Sequence, residues 1–264
     1  MPDYGLKIIK LQNSMSEEQK IQVHTKAGMF YTTCYKPLFE REKSNPISEV
    51  VRLDNMEFMA AFPDKFFDLA IVDPPYGINL KGENLIVNPN DHRNHKHKKE
   101  VTWDAEIPNE EYFNALFRVS KEQIIWGGNH FLDILGYCKA PIIWDKLNGD
   151  SMYADGEMAW TSKGLPKNLK IWKHQWCGAF KDSERGALKY HPTQKPIALY
   201  KWLLSKYAKE GQKILDTHLG SQSSRIAAWK MGFDFWGCEI DEQYFKDGCK
   251  RFEAESAQTA LWVG

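Results

Sequence analysis

The chain has 264 residues, 42% of them hydrophobic, enough for one large α/β domain or a domain with inserted modules. Its 35 basic and 35 acidic residues cancel, which neither indicates nor excludes a nucleic-acid partner, because the local field matters and not the total. Charge or glycine interrupts every apolar stretch, residues 1–10 lack a signal-peptide core, and the five cysteines have no C-x-x-C pair; this excludes a membrane span, a disulfide framework and a zinc site, and points to the cytoplasm.

Residues 1–47 form an N-terminal extension without an assigned role, in which 21–25 and 29–33 have the composition of short strands. Val50 and Val51 then lead to Asp54 and a short helix from Met56 to Phe62. Phe67 to Val72 is an apolar run stopped by Asp73-Pro74-Pro75, the pattern of a buried parallel strand. Residues 92–99 are a basic cluster containing Arg93, Lys96, Lys98 and Lys99, open to reading as a solvated loop or as a phosphate contact. The histidines there make a poor metal site, since the intervening lysines repel a cation.

A helix is expected over 109–120 after Pro108, then strands at 123–126 and 141–144. Residues 145–190 show no sustained period and read as an inserted recognition or lid region. They carry Trp160, Trp172, His174 and Trp176 among Lys163, Lys167, Lys170 and Lys173. Helices are expected at 197–208, 223–231 and 242–257, with strands at 213–215 and 234–238 between them. Alternating strands and helices imply an α/β fold with a doubly wound, mostly parallel sheet.

Three stretches carry chemistry. Asp73-Pro74-Pro75-Tyr76 follows a buried strand, where open parallel sheets bind ligands. The prolines hold the backbone extended, so the Asp73 carboxylate and the Pro74 carbonyl form two fixed acceptors that match a planar amino group, with Tyr76 as a stacking face. A strand-ending turn is the plainer alternative. Residues 214–223 form a strand, a tight loop with Gly220 and Ser221, and a helix start; Glu239 ends the next strand, where an acid can accept from two ribose hydroxyls. The loop lacks G-x-G-x-x-G, which favours a nucleoside ligand without phosphates. His191-Pro192-Thr193-Gln194-Lys195-Pro196 opens a helix and forms a polar cup suited to a carboxylate, although proline there is expected on structural grounds alone.

DPPYG at 73–77, WGGNHF at 126–131, IIWDK at 142–146, HPTQKP at 191–196, D-x-x-x-G-S at 216–221 and GCEID at 237–241 occur in one order. That order resembles the β-type, permuted amino-methyltransferases of DNA, over roughly residues 48–255. The resemblance implies a Rossmann-like methyltransferase domain over 48–264, with S-adenosylmethionine as cofactor and double-stranded DNA as partner. The product it implies is N6-methyladenine, to which DPPY leans, or N4-methylcytosine; a noncatalytic DNA- or cofactor-binding descendant of the fold is the other reading. It further implies that Asp73, Pro74, Pro75 and Tyr76 are catalytic. By the same resemblance His191, Thr193, Lys195, Pro196, Asp216, Gly220 and Ser221 wall the methionine part, Glu239 holds the ribose and Asp54 contacts the adenine. Asp54 reads equally as a helix N-cap. Arg93, Lys96, Lys98, Lys99, Lys170 and Lys173 are the DNA contacts. No metal is required, no membrane is involved, and the oligomeric state stays open, a dimer included. Two departures stand out: the family carries phenylalanine at the place of His218 and a second glycine at that of Gln222. Gln222 either crowds the cofactor or marks a position with φ below zero, the reading preferred here.

Overall fold

Short apolar runs closed by turn residues build the sheet, and amphipathic runs between them build the helices that cover it. The computed structural model describes residues 9–10, 18–25, 28–35, 46–78, 106–149, 154–165, 168–177 and 180–260. An antiparallel meander comes first, β1 (Ile9–Lys10), β2 (Glu18–Thr25) and β3 (Gly28–Tyr35), and it contains both short strands expected in the N-terminal extension. There follow β4 (Ser48–Arg52), α1 (Asn55–Ala60), β5 (Phe67–Val72), α2 (Glu110–Val119), β6 (Ser120–Trp126), α3 (Leu132–Leu135), β7 (Ile142–Asp145), β8 (Gly156–Thr161) and β9 (Lys170–Lys173). A small hairpin, β10 (Trp176–Cys177) and β11 (Phe180–Lys181), precedes α4 (Ile197–Tyr207), β12 (Lys213–Asp216), α5 (Ser223–Lys230), β13 (Asp234–Glu239) and α6 (Glu242–Ala260).

Eight strands form one sheet in the order β4-β13-β12-β5-β6-β8-β7-β9. Neighbours from β4 to β6 are parallel, β8 is antiparallel to both β6 and β7, and β9 is parallel to β7. The expected α/β, doubly wound, mostly parallel sheet is therefore present. The chain leaves β5 toward β6 on one side and β12 toward β13 on the other. The crevice between the carboxyl ends of β5 and β12 is thus the switch point where ligands bind in such sheets. Period-2 alternation covers both faces. Leu69 and Ile71 of β5 pack in a core with Leu199 and Leu203 of α4 and Ile226 of α5. Ala70 and Val72 pack with Phe58 of α1 and Phe113 and Leu116 of α2. Each such large aliphatic side chain contributes about 1.5–3 kcal/mol on burial.

Residues 145–190, expected to show no sustained period, contribute β8 and β9 to the main sheet. β8 escapes an alternation search because Glu157 lies opposite Trp144 in register, placing a charge on a face shared with Ala159, Trp144 and Trp126. Among the described residues of this range, only the β10–β11 hairpin pairs apart from it. Among the described residues, no helix is long and apolar enough to cross a membrane.

Candidate active site

A cavity of about 470 Å³ opens at the switch point. Its walls are Leu53, Asp54 and Asn55 after β4, Asp73 and Pro75 after β5, and His191, Thr193, Gln194 and Lys195 before α4. Thr217 to Ser221 after β12 and Glu239 to Asp241 after β13 close it. This is the size of a cofactor pocket.

The Asp73 corner is a closed ring of hydrogen bonds. Tyr76 Oη donates to Asp73 Oδ1 at 2.5 Å, and Lys195 Nζ donates to Asp73 Oδ2 at 2.6 Å and to Tyr76 Oη at 3.0 Å. Lys195 Nζ also lies 3.0 Å from Glu157 Oε2, whose other oxygen meets Lys146 Nζ at 2.5 Å. Burial would raise the Glu157 carboxyl, but the ammonium groups of Lys195 and Lys146 pull it down to about 2. Burial pushes the Asp73 carboxyl above its ordinary value, with Lys195 opposing. Burial would also lower Lys195, yet Asp73 and Glu157 hold it above its usual range. The Tyr76 ring stacks on His130 with centroids 5.1 Å apart and planes 12° from parallel. Gly127 makes room for it: a Cβ there would come within 2.1 Å of the ring, and φ is +68°. A Cβ on Gly128 would meet the Trp160 backbone at 2.6 Å. The two glycines of WGGNHF are therefore the floor beneath Tyr76.

The opposite wall is organised by Glu239. Its Oε2 accepts from the Gly220 N–H at 2.8 Å and its Oε1 from the Asp241 N–H at 2.9 Å, which fixes the carboxylate in the cavity wall. A Cβ at Gly220 would come within 3.3 Å of the His191 ring, so bare backbone keeps this wall open. Asp54 combines both of its readings: Oδ1 caps α1 through the N–H groups of Met56 and Glu57, and the residue lines the cavity.

Other expected site residues stand elsewhere. Pro74 and Pro196 are buried beside the cavity and do not line it. Asp216 is buried beneath the loop, accepting from Ser224 Oγ at 2.6 Å and from the His218 N–H at 3.0 Å, and burial raises it to about 7. It braces the loop and leaves the wall to Thr217 and Ser221. The polar cup at the α4 N-terminus is already occupied. The Ile197 N–H donates to Glu184 Oε2 at 2.9 Å, and the Lys195 ammonium is engaged by hydrogen bonds to Asp73 and Tyr76 and by an ion pair with Glu157. Lys170 and Lys173 lie exposed on β9, the outermost strand of the sheet and four strands from β5. Arg93, Lys96, Lys98 and Lys99 lie outside the described residues. Sequence reasoning missed Glu157 and Lys146; the latter lay in IIWDK, whereas Glu157 had no motif to mark it.

Residues 144–250, from β7 into α6, match the family model described as DNA methylase, of the N6/N4 type. Over this stretch the chain is similar to N6/N4 DNA methylases. Type II methyltransferase M2.DpnII of Streptococcus pneumoniae is 26% identical over 267 residues, covering 84% of this chain and 94% of that one. Type II methyltransferase M2.LlaDCHI of Lactococcus lactis subsp. cremoris is 25% identical over 262 residues, covering 82% and 91%. The crystal structure of the M1.HpyAVI–SAM complex superposes with a TM-score of 0.49 at 20% identity, over 77% of this chain and 98% of that one.

Within the matched stretch the two departures take definite forms. Gln222 has φ +59°, so the expectation of a value below zero is wrong. The residue keeps the left-handed conformation that a glycine would adopt, and its side chain turns away from the cavity into the space against Gly248. There Oε1 accepts from Arg225 Nη1 at 2.9 Å and Nε2 donates to the Phe245 carbonyl at 3.3 Å. These bonds offset a backbone cost of about 1–2 kcal/mol. His218 lines the cavity, with Nε2 3.1 Å from Asn55 Nδ2 and Nδ1 3.0 Å from Thr217 Oγ1.

Proposed function

We propose that the protein is a site-specific methyltransferase that moves a methyl group from S-adenosylmethionine to adenine N6 in double-stranded DNA. One observation carries the reading: Asp73 and Pro75 share a single cavity with Glu239, His191 and Thr193. The wall suits the cofactor. Glu239 holds two oriented oxygens for ribose hydroxyls, Leu53, Asp54, Asn55 and His218 form an edge for adenine, and His191, Thr193, Gly220 and Ser221 face the methionine part. When bound, the cofactor supplies an activated methyl group on a cationic sulfur.

The remaining work belongs to this chain. Asp73 and the Pro74 carbonyl accept the two amino hydrogens and turn the nitrogen lone pair toward the cofactor side of the cavity. The Tyr76 ring, fixed on His130, is the platform for a base, and a duplex substrate must release that base from its stack. Positioning of this kind is worth about 7 kcal/mol or more. The surplus proton leaves through Asp73, whose carboxyl burial has raised, or through water. Adenine is favoured by the resemblance of DPPY; the N6/N4 family spans both amino groups.

The test is labelled methyl transfer to duplex DNA, followed by hydrolysis to nucleosides. Label is expected in N6-methyladenine and is lost by more than about tenfold in Asp73→Ala, at least ~1.4 kcal/mol. Label in N4-methylcytosine overturns the base assignment. Absence of label with cofactor binding intact overturns the activity.

A further inference from the structure

We infer that Glu157, at the amino end of β8, is a positioning residue for methyl transfer that acts through Lys195 on Asp73. The inference rests on Asp73 being the amino-group acceptor.

The topology brings these residues together. β8 runs against β6 and β7, so its first residues lie at the same sheet edge as the carboxyl ends of β5, β6 and β7. Asp73 leaves that edge after β5 and Lys146 leaves it after β7. Lys195 reaches in from the segment before α4, with its side chain only 4% exposed. Its ammonium donates to Asp73 Oδ2 at 2.6 Å and to Tyr76 Oη at 3.0 Å, and Glu157 Oε2 lies 3.0 Å away as an ion-pair partner without an aligned hydrogen bond. Glu157 is in turn held by Lys146 at 2.5 Å.

The arrangement is chemically specific. Two buried carboxylates and two ammonium groups cancel in charge, and such a set is retained for geometry more than for stability. Removing Glu157 takes away the carboxylate that balances Asp73 across the ammonium, so Lys195 shifts and its aim at Asp73 changes. Asp73 keeps its bond from Tyr76 Oη, and its other oxygen follows the shifted ammonium. Cofactor contacts on the Glu239 wall are untouched, because Glu157 does not line the cavity.

The test uses the full chain with S-adenosylmethionine and duplex DNA, and reads kcat, KM for each substrate and calorimetric cofactor affinity. Glu157→Ala is expected to lower kcat by about tenfold or more with cofactor affinity within about twofold of wild type. Glu157→Gln keeps the reach and loses the charge, whereas Glu157→Asp keeps the charge and loses the reach. Positioning requires Gln to retain more kcat than Asp, and the reverse order overturns it. Glu157→Asp combined with Lys195→Met should be no slower than Lys195→Met alone, since both act on one contact. Additive losses would mean that Glu157 acts by another route. If Glu157→Ala fails to bind cofactor, the Gln–Asp comparison and the Asp cycle still decide the question. Near wild-type activity in Asp73→Ala would remove the parent reading instead, while an inactive Asp73→Ala beside a fully active Glu157→Asp removes only this inference.

Discussion

His218 shows how one substitution changes the physics of a cofactor wall. A phenylalanine there would be inert to pH; the imidazole is buried, and burial lowers it to about 4. Its two ring nitrogens face Asn55 Nδ2 and Thr217 Oγ1, an arrangement that a neutral ring protonated at Nδ1 satisfies. As pH falls from about 6.5 to 4, the unfolded chain takes up this proton before the folded one, so stability is lost on acidification. The loss approaches about 3 kcal/mol by pH 4. Asp216 has the opposite sign: its folded value of about 7 favours the folded state at low pH, and that contribution fades as pH rises from the ordinary carboxylate range through 7. Asp216 meets His218 only through a backbone N–H, which any residue supplies. His218→Phe should therefore gain on wild type by about 3 kcal/mol between pH 7 and 4 in denaturant unfolding. Parallel pH profiles for the two chains would refute the assignment. Glu239 is the complementary case. Glu239→Ala removes two charged acceptors and should weaken cofactor binding by about 1.5–3 kcal/mol in calorimetry.

At the scale of elements, the turn after β6 is where sheet and chemistry meet. Gly127 and Gly128 let the Tyr76 ring and the Trp160 backbone approach closer than any Cβ permits. Gly127→Ala should displace the Tyr76 ring from His130 and Asp73, and so reduce methyl transfer far more than cofactor affinity; equal losses in both would place the fault in the fold. These elements differ in how legible they were. β5 with Asp73-Pro74-Pro75 was plain, because an apolar run closed by prolines has few other fates. β12, β13 and the helices between and after them were equally plain. β8 was not, since its buried Glu157 draws its partners from Lys146 and Lys195, neither of them its sheet neighbour in sequence. The α4 N-terminus misled for a similar reason: its cap comes from Glu184, outside the motif that opens the helix. Gln222 misled because the bonds that sustain its positive φ reach Phe245 on α6. Local pattern reports local preference, and each miss is a contact supplied from a distance.

For the whole molecule, zero net charge leaves attraction to DNA to local groups, and sheet direction says which of them face the substrate. β9 is parallel to β7, β7 runs like β6, and β6 is parallel to β5. Lys173, at the carboxyl end of β9, therefore lies at the same end of the sheet as Asp73, four strands away from β5. Lys170 lies three residues back, about 10 Å along the strand, and its side chain projects from the opposite face. Lys173 is exposed, and its approach to Asp145 at 3.9 Å is too loose and too wet to neutralise it. A duplex presenting its base to Asp73 can reach Lys173 without crossing the sheet edge to Lys170. Lys173→Ala should make the slope of log affinity against log salt shallower by about 0.9, one phosphate contact, equally for specific and unrelated sequences. Lys170→Ala should leave the slope unchanged. If Lys170 carries the effect instead, the duplex approaches from the other end of β9, and a base held there cannot be the one that meets Asp73.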